Sequence, residues 1–211
     1  MVLASGPEAQ HFVVHQDLLC KHAPFFQLAM AGEWKEAQDG IIPLPDDEPD
    51  VVALHIHWLY SSRILCRPVA TTGDARIKEM ELLVNAFVYG EKIQDGDFKD
   101  AVIDAAIKST LEKDVDGVAW FPGVGTVNNA YDGTPQDSPL RRLVVDFWAR
   151  RGEKDWNRQG LNTEFLNDLV AELFAYREPL LDLHPSGGKA STCSYHQHGD
   201  DSMCYSRRDQ M

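Results

Sequence analysis

Long apolar runs are missing from this chain of 211 residues, and none approaches the ~20 residues that a membrane-crossing helix needs. Met1 to Pro7 has no basic start and no long apolar stretch, so no secretory signal is read there; the expected compartment is intracellular, cytoplasm or nucleus. Positive charge is scarce too. Lys and Arg total 20 against 33 Asp and Glu, a formal net charge of −13. Nucleic-acid affinity comes from basic patches that release counterions, so a nucleic-acid partner is not expected. An anionic membrane surface is disfavoured for the same reason. A protein or a small molecule remains.

Catalytic sets are equally wanting. Gly123-Val-Gly125 has neither a strand-to-helix context nor a Walker lysine, so no nucleotide cradle is read there. His15 stands at a strand-to-helix joint with no serine or cysteine motif to serve, and reads as a structural histidine beside Asp17. His55 and His57 are two apart, a spacing that sends helical side chains to different sides and cannot chelate; they read as surface or partner-facing. Asp46-Asp47-Glu48 lacks the alternating ligands and glycine of a calcium loop. The expectation is a protein without catalysis and without a cofactor.

What is present is an ordinary globular composition, 44% hydrophobic and 25% charged, with length enough for one medium domain and appendages. Val2 to Ala4 and His11 to Val14 read as two strands around a turn at Gly6-Pro7-Glu8, the first of them shortened. Asp17 opens a helix, and Pro24 starts a second that carries Phe25, Phe26 and Leu28 and stops at Gly32. Ile41 to Leu44 reads as a strand with Pro43 at an edge. Asp46, Asp47 and Glu48 then sit where the next helix begins, complementing its dipole. That helix, Val51 to Tyr60, buries Val52, Leu54, Ile56, Leu59 and Trp58. Residues 61–76 read as a loop; helical spacing resumes at Ile77, Met80, Leu83, Val84 and Phe87, with Gly90 marking a close helix contact, and returns from Phe98 after Asp95-Gly96-Asp97. Gly117 to Pro139 is rich in Gly, Asn, Thr and Pro and reads as a linker. Ser138-Pro139 opens a helix through Trp148, and Asn162 or Thr163 caps another through Phe174.

Several of these segments, in this order, resemble the BTB/POZ family. Phe12-Val13-Val14-His15-Gln16-Asp17-Leu18-Leu19 is similar to its entry into the first helix, although Gln16 stands where Lys is usual. Pro24-Phe25-Phe26 resembles the start of its second helix, with Ala23 in place of Ser. Ile41-Ile42-Pro43-Leu44-Pro45-Asp46-Asp47-Glu48-Pro49 is similar to its strand-to-helix turn, and Trp58-Leu59-Tyr60 to the close of its third helix. Leu83 to Lys92 resembles a segment of the BTB proteins of filamentous fungi.

The resemblance implies an α+β fold, a small sheet flanked by helices. It gives a BTB/POZ domain over 1–110; composition and spacing add a flexible linker over 111–139, a helical extension over 140–183 and a Ser-, Gly- and His-rich disordered tail over 184–211. It implies a protein-interaction module, a homodimer or an adaptor, in some relatives for a cullin-type ubiquitin ligase scaffold. The recruiting element of those relatives has the form of Ile77-Lys78-Glu79, which chance also produces. Relatives that exchange N-terminal strands use an extension ahead of the first strand read here.

The candidate interface residues are Trp34, Asp46, Asp47, Glu48, His55 and Trp58. Trp34 follows Gly32 among charged neighbours and suits an exposed anchor; the three carboxylates suit a rim. In the tail, Cys193, His196, His198 and Cys204 are the ligand types zinc prefers, at a spacing unlike a standard finger. Zinc there is the alternative to a plain disordered tail. Cys20 and Cys66, among apolar neighbours, read as buried thiols rather than a disulfide.

Overall fold

Gly6 (φ +74°) and Ala9 (φ +52°) take the left-handed conformations that fold the chain back between β1 (Val2–Ser5) and β2 (Gln10–Val13). The strands pair antiparallel with Leu3 opposite Phe12, in a computed structural model that describes residues 1–31, 35–66, 73–114, 117–156 and 159–176. Three short helices follow: α1 (Gln16–His22), α2 (Pro24–Met30) and α3 (Lys35–Asp39). Ala23, fully buried, separates the first two, and Pro24 takes the first-turn position that needs no N–H partner. The chain then re-enters the sheet as β3 (Ile41–Leu44), parallel to β1 with Leu3 opposite Ile42. The sheet order is β2-β1-β3. Its buried face offers Leu3, Ile42 and Leu44.

Then come α4 (Pro49–Ser61), α5 (Gly73–Ile93) and α6 (Gly96–Leu111), with α5 packed against both of the others. The α5–α6 joint is tight: a Cβ on Gly90 would come within 2.6 Å of Lys99 Cγ, which is the close contact expected at that glycine. Asp95 caps α6 by accepting from the Phe98 N–H at 3.0 Å. The mixed α+β class expected from the sequence is present.

The linker expected over 111–139 is corrected. It contains α7 (Val124–Asp132), whose Val127, Ala130 and Tyr131 are buried against the body. Before it, Trp120 Nε1 donates to Asp114 Oδ2 at 2.7 Å, and Lys113 bridges Ala119. Gly, Asn and Thr act here as hydrogen-bonding and close-packing residues rather than as chain slack. Asn128 donates to the Gly160 carbonyl (2.7 Å) and accepts from the Asn162 N–H (2.8 Å). Gly133 lies against Val88, where a Cβ would come within 2.5 Å.

The remaining helices are α8 (Pro139–Arg151), capped by Ser138, and α9 (Thr163–Tyr176), where Asn162 Oδ1 accepts from the Glu164 and Phe165 N–H groups. Met1–Glu172 form one compact unit and the chain from Leu173 a second, of which only Leu173–Tyr176 are described. The Cys/His segment of 184–211 lies outside the described residues.

Candidate interaction surface

The acidic turn is built by prolines and by the sheet. Pro45 and Pro49 bracket Asp46, Asp47 and Glu48, and Ser5 Oγ donates to the Asp47 carbonyl at 2.7 Å, tying the turn to β1. Glu48 holds the N-cap position of α4, yet its side chain makes no capping bond. It accepts instead from Asn85 Nδ2 of α5 at 3.3 Å. Asp47 receives Lys92 Nζ at 2.6 Å, and Asp46 is exposed. The carboxylates are thus turned toward the α5 face. Of this region only Asp50 stands in the first turn of α4, where its charge meets the helix dipole.

His55 and Trp58 are corrected as interface candidates, because both are buried, at 0% and 8% exposure. Residues 51, 52, 54, 55, 58 and 59 of α4 are all buried, since this helix is covered on more than one side. His55 Nε2 lies 3.1 Å from Asp95 Oδ2. Phe26 and Trp58 stack on its ring, while Phe98 and Tyr89 meet it edge-on at 4.8 and 5.5 Å. Burial drives its pKa below the ordinary histidine value, and the Asp95 bond opposes without reversing this. The neutral ring then donates from Nε2, and Nδ1 is left buried without a partner. His57 points the other way, into solvent, with Ser61 Oγ 3.0 Å from its Nδ1. The expected divergence of this pair holds, but only one of the two is a surface residue. His15 is exposed and bound through Nδ1 to the Tyr60 hydroxyl at 2.6 Å, which braces the strand-to-helix joint.

Trp34, Cys193, His196, His198 and Cys204 lie outside the described residues. Among the described residues no group of three metal-ligating side chains occurs, and no helix is long and apolar enough to cross a membrane. Ile77-Lys78-Glu79 lies within α5, not in the loop before it. Ile77 is exposed, but Glu79 is 3% exposed and receives Arg76 Nη1 at 2.6 Å, so the glutamate faces inward. Cys20 and Cys66 are half-buried thiols outside any disulfide, and Cys66 Sγ lies 3.6 Å from Glu79 Oε1.

Two surface features lay outside the sequence expectations. β2 is an outer strand with Val13 81% exposed, and no strand among the described residues pairs with its far side. On the opposite edge, the bonds from Val2 N to Gly40 O and from Gly6 N to Leu44 O leave Ile41 and Pro43 facing outward. There Pro43 has no N–H to offer. The sheet therefore has one open edge and one blunted edge. The signal for this was in Pro43, but which edge it blunts depends on strand order. The second feature is an aromatic hollow of about 520 Å³ bordered by Trp120, Phe121, Trp148 and Trp156, in the segment expected as a linker and just beyond. Compared with known proteins, the chain matches no family model and no curated sequence.

Proposed function

We propose that the chain is a BTB-type protein-interaction module that acts by binding, pairing with a second copy or serving as an adaptor for another protein. The observation that carries this is the open β2 edge. An outer strand that pairs on one side only among the described residues, with an exposed Val13, is a surface to which another extended strand can add. The element order supports it: hairpin, helical hairpin, returning parallel strand, helix, then a helix pair, which is the order carried by the resembling segments.

Light scattering across a concentration series on the full chain tests the reading, beside a Val13→Lys variant. A dimer that the lysine dissociates supports pairing through β2. A monomer at every concentration overturns self-association and leaves the adaptor form. Capture of a cullin-type scaffold is the test of that form, and failure of both assays removes the reading.

A further inference from the structure

One face of α5 floors a cleft. Its residues from Asp74 through Lys78, Glu81 and Asn85 to Lys92 recur at spacings of three and four and line two adjoining hollows, of about 790 and 230 Å³. The hollows share Glu48, Asn85 and Asn129, so they adjoin each other between the start of α4 on one side and α7 on the other. From Asp74 to Lys92 the helix rises about 27 Å, room for about eight residues of extended chain. Seven carboxylates line this cleft against two lysines, Lys78 and Lys92. Two of the seven are already answered, Glu79 by Arg76 and Asp47 by Lys92. The rest make the cleft a strongly negative surface on an acidic protein.

A cluster of carboxylates is common on a surface, but the inner hollow adds something that a solvated cluster does not. Tyr89 lines it and is 3% exposed, and its hydroxyl has no hydrogen-bond partner among the described residues. A buried phenol left unpaired destabilises the fold, so the position is unexplained by folding alone. Burial and the Asp47 and Asp95 carboxylates raise its pKa, so the phenol stays protonated. Its oxygen still has lone pairs to accept with. Asp46, Asp47 and Glu48 line the same hollow, acceptors only when ionised. A pocket of acceptors selects a ligand made of donors. Lys92 shows the fit: its side chain, 40% exposed, already sets an ammonium 2.6 Å from Asp47. Asn85 and Asn129 stand at the junction of the hollows, linked at 3.4 Å, where amide groups suit a peptide main chain.

We infer that this cleft binds a basic, extended peptide segment of a partner protein, with a guanidinium or ammonium group seated in the inner hollow among Asp46, Asp47, Glu48 and the Tyr89 hydroxyl. Arginine suits the seat better than lysine, since its fork of five donors can reach two carboxylates and the phenol together. The inference rests on the binding-module reading and gives it a partner chemistry, at a surface other than the β2 edge.

The test is fluorescence anisotropy on the full chain with a labelled eight-residue peptide alternating Arg and Ala, and with its Glu-for-Arg counterpart. The arginine peptide is expected to bind, more weakly as salt rises, and the glutamate peptide not at all. Asp46→Asn with Glu48→Gln, both exposed and free to change without disturbing the core, is expected to weaken binding by about tenfold. Asp100→Asn with Asp104→Asn, the same charge change on exposed positions of α6, is expected to leave it unchanged. Tyr89→Phe keeps the ring and removes only the unpaired hydroxyl; it is expected to weaken the arginine peptide by about fivefold. Equal weakening by the two double variants would mean attraction by net charge alone and would overturn the inference, as would no binding of the arginine peptide. Loss of peptide binding in a protein that still forms a Val13-dependent dimer removes the cleft and keeps the binding-module reading. Loss of peptide binding in a chain that neither dimerises nor captures a cullin-type scaffold removes both.

Discussion

Around His55 the protein is dry: Phe26, Trp58, Tyr89 and Phe98 enclose the ring, and its one hydrogen bond goes to Asp95, itself 1% exposed. Around Arg141 burial is achieved by different means. This guanidinium donates to the carbonyls of Tyr131 and Thr134, each at 2.6 Å, and to Thr134 Oγ1 at 3.3 Å. It reaches Glu164 at 2.6 Å and lies 4.5 Å from the centre of the Tyr131 ring. One side chain therefore joins the end of α7, the turn after it, α8 and the start of α9. The first region is held by area removed from water, which tolerates imprecise geometry. The second is held by directional bonds to main-chain groups, which do not.

The strongest way to break the contrast is to empty the dry region. Phe98, fully buried, is expected to cost about 3–5 kcal/mol as Phe98→Ala, read as a lowered urea midpoint. Arg141→Met keeps the stem and removes the donors. Two buried carbonyls then lose their partner, while Glu164, 68% exposed, passes to water. The expected loss is about 2–3 kcal/mol. The two variants should shift one common transition, because Met1–Glu172 form a single unit. A separate early transition in Arg141→Met, seen by amide exchange in α7 and α8, would show that the wired region melts by itself and that a linker description suits it after all.

The same contrast explains what could be read from residues alone. The hairpin, the α1–α2 pair, α4, α5 and α6 announced themselves by apolar spacing and by Pro24, Pro49 and Asp95 at their starts. His55 was misplaced although its signal was present: it is four residues after Val51 and three before Trp58, on the buried face. Reading it as half of a His-x-His pair hid that. α7 gave no such signal. Gly125, Asn128 and Asn129 suggest a loop until their partners are known, and those partners, Gly160, Asn162 and Asn85, come from distant parts of the chain. The acidic turn was legible as charge. The cleft it serves was not, because one wall of that cleft is α7.

Gly133 sharpens the point with a smaller effect. Its φ of −101° suits any residue, so Gly133→Ala tests the space against Val88 Cγ1 and Cγ2, at 2.5 and 2.7 Å from the added carbon, and against the Asn129 carbonyl at 3.1 Å. A loss of about 1–2 kcal/mol in chemical denaturation is expected, whereas a glycine serving only as slack would show none or a slight gain.

The smallest effect separates the regions by pH. Burial lowers the pKa of His55 in the folded protein, while the unfolded chain keeps an ordinary histidine near ~6.5. Below that value the unfolded state takes up a proton that the folded state resists, so the contribution of His55 is complete above the unfolded pKa and is lost as pH falls beneath it. Between pH 7.5 and 5.5 the stability of the unaltered protein should fall by about 1 kcal/mol more than that of His55→Gln, compared by urea midpoints so that other titrating groups cancel. Equal slopes would mean that the Asp95 bond cancels the effect of burial, and a shallower fall in the unaltered protein would mean that Asp95 holds an imidazolium. The arginine hub supplies the control. A guanidinium does not titrate in this range, so Arg141→Met should cost the same at both pH values. Only the dry region, where a neutral ring is the price of burial, should weaken in acid through its own central residue.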